Sequence, residues 1–165
     1  MAWTDQDAAW MHRAIALARE GNAERGKNGI GCVIVRDGNV IGEGVNEVEL
    51  RHDATAHAEI VSMRGAGQRL RSQELRGAVL YTTLQPCGMC TMASIWAKIG
   101  RIVYGAGRDD VHPQYFEDRH LDTVDFIRDA FRTDLTLQGG LMVRECAALY
   151  VPPDEDVPKD AQFNR

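Results

Sequence analysis

The run Ile30-Gly31-Cys32-Val33-Ile34-Val35-Arg36 is apolar almost without a break, and Asp37-Gly38 follows it directly. A strand that alternates apolar with polar residues can leave one face in water. A near-continuous apolar run suits a strand covered on both faces. Asp-Gly is a hairpin turn, so Val40 to Asn46 is expected to return as a second strand. Ala78 to Leu84 reads as a third strand and Arg101 to Gly105 as a fourth. Helices are expected over Thr4 to Glu20, Ala56 to about Arg64, Gly88 to Ile99, Leu121 to Phe131, and Glu145 to Tyr150. Thr4 can cap the first, with Asp7 completing a variant capping box and Gly21 ending it. Gly65 and Gly67 weaken the end of the second. The order predicts an α/β fold: a three-layer α/β/α sandwich around a mixed sheet of about five strands. At 165 residues the chain suits one domain, expected over 1–150, with 151–165 as an extended tail holding three of the five prolines.

The chemistry concentrates in two short segments. Pro86-Cys87-Gly88-Met89-Cys90 joins the third strand to the helix after it. Two cysteines three apart lie one above the other in a first helical turn, where the helix N-terminus favours thiolates. On this motif alone a redox dithiol and a metal site are equally good readings. His57-Ala58-Glu59 begins another helix. Alone it is a weak signal, better read as a surface histidine and a solvated glutamate. Residues two apart share no helix face; they converge only on a ligand at the mouth of the helix. Together the segments offer one His and two Cys, three ligands with an open fourth position, which is the arrangement of a catalytic zinc site. A carboxylate that does not bind the metal can then serve a bound water. Cys32 and Cys146 stand alone and read as buried apolar residues. His52, His112 and His120 have no partners at metal spacing and read as solvated or locally hydrogen-bonded.

His-x-Glu followed by Pro-Cys-x-x-Cys is the signature of the zinc deaminases, so this assignment is made by match. Here the chain resembles the cytidine and cytosine deaminase superfamily. The resemblance runs from the first helix through Arg101 to Gly105 and includes Thr55 to Glu59 and Leu80 to Cys87. It is most similar to the small guanine deaminases and also resembles one-domain cytosine deaminases, notably over Leu80 to Thr91. It departs from the usual Glu-Pro-Cys at Gln85, which is not expected to touch the metal.

The resemblance implies one Zn2+ per chain on His57, Cys87 and Cys90, with Glu59 shuttling protons during hydrolytic deamination. It puts Asn46 where guanine deaminases hold the base. It puts Glu117 and Asp118 where they carry an acidic pair near the substrate, and the ungapped count from Cys90 favours Asp118. Ile30 and Trp96 are expected as apolar walls for a flat ring, with core packing an equal alternative for each. An Asn and acceptor carboxylates suit the amide edge of guanine, which favours guanine or a guanine nucleoside. Cytosine is the next candidate, then adenosine in tRNA; a thiol redox or zinc-binding scaffold protein is the alternative of another class. Net charge is −5, and the stretch after the fourth strand is acidic. A small nucleobase or nucleoside partner is therefore expected, and no nucleic acid. No apolar stretch is long enough to span a bilayer. The start Met1-Ala-Trp-Thr-Asp-Gln-Asp lacks a basic and then apolar leader, so a cytoplasmic location is expected. The resemblance also suggests a homodimer, with C-terminal segments exchanged over the partner's site.

Overall fold

The structure is a computed structural model, and it describes residues 2–25, 29–117 and 122–163. The described residues form a five-stranded sheet in the order β2-β1-β3-β4-β5. β1 (Gly31–Arg36) pairs antiparallel with β2 (Asn39–Val45) and with β3 (Val79–Leu84). β3, β4 (Arg101–Ala106) and β5 (Thr136–Gln138) run parallel. The β1–β2 turn has positive φ at both Asp37 and Gly38, the conformation that matches strand twist in a two-residue hairpin.

Alternation along β1 divides the core in two. Val33 and Val35 join Tyr81, Val103 and the α1 (Asp5–Arg25) residues Met11, Ala14, Ile15 and Leu17 on one face. Cys32 and Ile34 join Leu80, Ile102 and the α3 (Ala58–Leu70) residues Met63 and Ala66 on the other. Both faces are thus covered, as the unbroken apolar run of β1 requires. Two glycines permit the close approach of these helices. A Cβ on Gly31 would lie 2.0 Å from the Ala14 carbonyl oxygen, and one on Gly42 would lie 2.3 Å from that of Ser62. α6 (Val143–Ala147) packs on the α1 side through Cys146, under β4.

The first helix is capped as expected. The Thr4 N–H and hydroxyl both donate to Asp7, and the Asp7 N–H donates back to Thr4 Oγ1 at 3.0 Å. Several boundaries differ. α1 runs on past Gly21, which is buried and where a Cβ would lie 3.5 Å from the Val45 side chain. α3 continues through Gly65 and Gly67 to Leu70, because burial of Met63 and Ala66 against the sheet outweighs the glycine penalty. α4 (Gly88–Trp96) stops short of Ile99, since Lys98 adopts positive φ. α5 spans Thr123–Asp129, capped by the Asp122 carboxylate, which accepts from the Val124 N–H. Two elements lay outside the sequence reading: the short helix α2 (Val48–Arg51) and strand β5. The tail is not simply extended. Val151 accepts the His112 N–H, a 3-10 turn covers Lys159–Ala161, and the Phe163 ring lies 6.0 Å from that of Tyr115. Among the described residues no helix is long and apolar enough to cross a membrane.

Candidate metal centre and base pocket

His57 and Cys87 are the N-caps of α3 and α4, and both have extended backbone conformations. Glu59 and Cys90 follow in the first turns, so four side chains from two helix mouths converge. His57 Nδ1 lies 3.6 Å from Cys87 Sγ and 3.6 Å from Cys90 Sγ. A tetrahedral zinc, with Zn–S of about 2.3 Å and Zn–N of about 2.0–2.1 Å, sets its sulfur and nitrogen ligands about 3.6 Å apart. The three ligand atoms all fall within 4.8 Å of one another. Spacing and donor type therefore both fit zinc. A redox dithiol needs neither the histidine nor the carboxylate beside it, and both cysteines are free thiols.

The electrostatics follow from this crowding. The Cys90 hydrogen bond and the His57 ring bring the Cys87 thiol down to about 4, against burial. The Cys90 thiol is pushed well up by its hydrogen bond to Cys87, by burial and by Glu59. Loading a cation therefore displaces a proton from Cys90, and metal uptake is pH-dependent. His57 is raised by its hydrogen bond to Cys87. Glu59 is 3% exposed, and burial, then the Cys87 charge, raise its pKa. Its two oxygens are distinct. Thr82, buried on β3, donates its hydroxyl hydrogen to Oε1 at 3.0 Å. Oε2 faces the thiols, 3.5 Å from Cys90 Sγ.

Above this group opens a pocket of about 300 Å3. His57 and Cys87 form part of its wall, with Ile30, Asn46, Val48, Glu49, Ala54, Gln114, Tyr115, Glu117 and Phe163. The structure thus brings Ile30, Asn46 and Glu117 together with the metal ligands. Asp118 and His120 lie outside the described residues. Trp96 is corrected: it lies at the far end of α4, 74% exposed, and lines a separate depression of about 600 Å3 with Met63, Leu75 and Lys98. Nine residues of helix carry it about 13 Å from Cys87, too far to wall the same ring. His112 is buried, and its Nδ1 accepts the Gln114 N–H at 3.1 Å. Gln85 meets its neighbours through both amide atoms: Nε2 donates to Thr123 Oγ1 and Oε1 accepts from the Arg108 N–H. It ties the loop after β4 to the start of α5.

The sequence reading missed Thr82, Gln114, Tyr115 and Phe163. Thr82 had a signal, since it shares the parity of Leu80 and Leu84 in an apolar strand, and an inward hydroxyl there needs a partner. Phe163 had none. The C-terminal segment that holds it was expected over a partner's site, and here Phe163 reaches the pocket of its own chain.

Residues 4–106 match the family described as the cytidine and deoxycytidylate deaminase zinc-binding region. The chain is 34% identical over 146 residues to the tRNA-specific adenosine deaminase of Buchnera aphidicola subsp. Schizaphis graminum, covering 88% of this chain and 92% of that one. It is 41% identical over 110 residues to the guanine deaminase of Bacillus subtilis, covering 66% and 70%. A solved structure from a study of tRNA:A34 deaminases superposes with a TM-score of 0.72 at 32% identity, covering 86% of this chain and 98% of that one. Relatives named for tRNA leave the expected absence of a nucleic-acid partner without support.

Proposed function

The chain belongs to the cytidine and deoxycytidylate deaminase family and is a zinc-dependent hydrolytic deaminase; from that premise we propose that it acts on a small neutral base, guanine or a guanine nucleoside. The observation that carries this reading is the charge of the pocket wall. Among the described residues no Lys or Arg lines it, whereas Glu49 and Glu117 do. An RNA substrate brings phosphates that require neutralisation by cations. An uncharged base does not, and the carboxylates can accept its N–H groups. The second reading, adenosine in tRNA, is favoured by the similarity to tRNA-specific relatives over most of the chain.

His57, Cys87 and Cys90 would hold the zinc, which when bound would acidify a water near neutral pH. Glu59 Oε2, on the thiol side, takes the water proton and delivers it to the ring nitrogen beside the amino-bearing carbon. A C–O bond forms at that carbon. Glu59 then takes the remaining proton of the new hydroxyl and gives it to the amine; the C–N bond breaks, the oxygen becomes a carbonyl, and ammonia leaves. One water is consumed and one carboxyl handles each proton, which is served by a pKa raised toward neutrality. Thr82 fixes Oε1 and so leaves Oε2 for the transfers. Asn46, Glu117 and, in the sequence next to it, Asp118 orient the base, and Ile30 gives its ring an apolar wall.

The protein is expected to act as a homodimer. Met89, Met92 and Trp96 form an exposed apolar stripe on α4 at helical spacing, which a second copy would cover.

The test is ammonia release by zinc-loaded protein across guanine, guanosine, cytosine and a tRNA bearing adenosine in its anticodon loop. Guanine or guanosine should turn over fastest. Inert guanine and guanosine with active cytosine or tRNA would refute the substrate assignment.

A further inference from the structure

Gln114 sits in the 3-10 turn Pro113–Tyr115, a place the catalytic signature does not reach. The turn is pinned from several directions. His112 Nδ1 accepts the Gln114 N–H, the His112 N–H donates to Val151, and the Tyr115 hydroxyl accepts the Val151 N–H at 3.1 Å. The backbone of Gln114 is therefore held firmly. It is 3% exposed and lines the base pocket with Asn46, His57, Cys87 and Glu117. Its side-chain oxygen Oε1 is buried and hydrogen-bonded to nothing among the described residues. Buried polar atoms are almost always bonded, and an exception in a pocket wall marks a position awaiting a donor.

We infer that Gln114 Oε1 accepts a ring N–H of the bound base and so restricts the enzyme to bases that carry one. The inference rests on the neutral-base reading above and sharpens it. Guanine has two ring N–H groups as a free base and keeps one as a nucleoside. Cytosine has one as a free base. Adenosine and cytidine have none, since every ring nitrogen is an acceptor or is taken by the sugar. An acceptor at position 114 therefore disfavours adenosine and cytidine, which leave that oxygen unbonded.

Gln114→Leu removes both amide groups at nearly constant size. With one zinc per chain and an unchanged melting temperature as controls, it should raise KM for guanine about tenfold and change kcat little, as expected for one neutral hydrogen bond. The inhibition constants of 1-methylguanine and 9-methylguanine identify the atom. In the wild type one of them should bind about tenfold more weakly than guanine, and in Gln114→Leu that difference should vanish. Wild-type turnover of guanine with an unchanged KM in Gln114→Leu overturns the role of Gln114 alone. Methyl losses that persist in full in the variant do the same. A wild type that ignores guanine and cytosine yet deaminates adenosine overturns both this inference and the reading beneath it.

Discussion

Thr82 donates to the one carboxylate that has to change its protonation state, and it does so from a strand with no other duty at the site. Thr82→Val keeps the shape and deletes the hydroxyl. Two consequences follow from the forces on Glu59. Its pKa is raised by burial and by Cys87, and Thr82 works against that rise. Without the hydroxyl the pKa climbs further, so the acid limb of the kcat/KM–pH profile moves to higher pH. The carboxylate also loses its anchor, and kcat should fall about tenfold. Zinc content should stay at one per chain; a lost activity with an unshifted profile would instead mean a packing role. At this scale the sequence was readable where chemistry demands rare residues at fixed spacing. His57, Glu59, Cys87 and Cys90 were legible for that reason. Residues that serve the site through a common side chain, such as Thr82 and Gln114, were not, because a threonine in a strand or a glutamine in a loop has many ordinary uses.

The first turn of α1 is tied to two strands. Asp7 accepts from the Tyr81 hydroxyl and from Arg101, both at 2.8 Å, as well as from Thr4. Burial alone would raise its pKa; the Thr4 N–H, Arg101 and Tyr81 outweigh it and hold the carboxyl down to about 2, from an ordinary 3.8. A depressed folded-state pKa contributes stability that is complete above 3.8 and is lost as pH falls through about 2. The linkage amounts to about 2 kcal/mol. Asp7→Asn should therefore be less stable by about that amount near neutral pH, with the gap to wild type closing in strong acid; urea midpoints across a pH series measure it. Elements were legible where periodicity and turn chemistry agreed, as in the β1–β2 hairpin and the capped start of α1. Their ends were not, because tertiary burial carries α1 past Gly21 and α3 past Gly65 and Gly67. β5 is three residues long and forms only because β4 offers it an edge. α4 supplies a further test: Trp96→Glu charges the exposed stripe and should turn a dimer into a monomer in sedimentation with zinc retained, and a wild-type monomer would contradict the assembly.

Seen whole, the molecule is a sheet sealed on both faces, with two helix mouths brought together at one end of the sheet. That placement converts a histidine, a glutamate and two cysteines, thirty residues apart in sequence, into one reactive group. The fold class was legible because a strand apolar on both sides demands two covering layers. The substrate was less so, since the pocket wall is assembled from α2, the loop after β4 and the tail, segments without periodicity. The acidic wall and the relatives named for tRNA pull in opposite directions, and turnover decides between them. The claim beneath both readings is hydrolytic deamination at a zinc held by His57, Cys87 and Cys90, with Glu59 moving the protons. The direct measurement is zinc content and ammonia release for wild type and Glu59→Gln side by side, on whichever base the wild type turns over. One zinc per chain is expected in both, with a fall in kcat of about a thousandfold in the variant. Ammonia release by Glu59→Gln within a few fold of wild type, at equal zinc content, would contradict it.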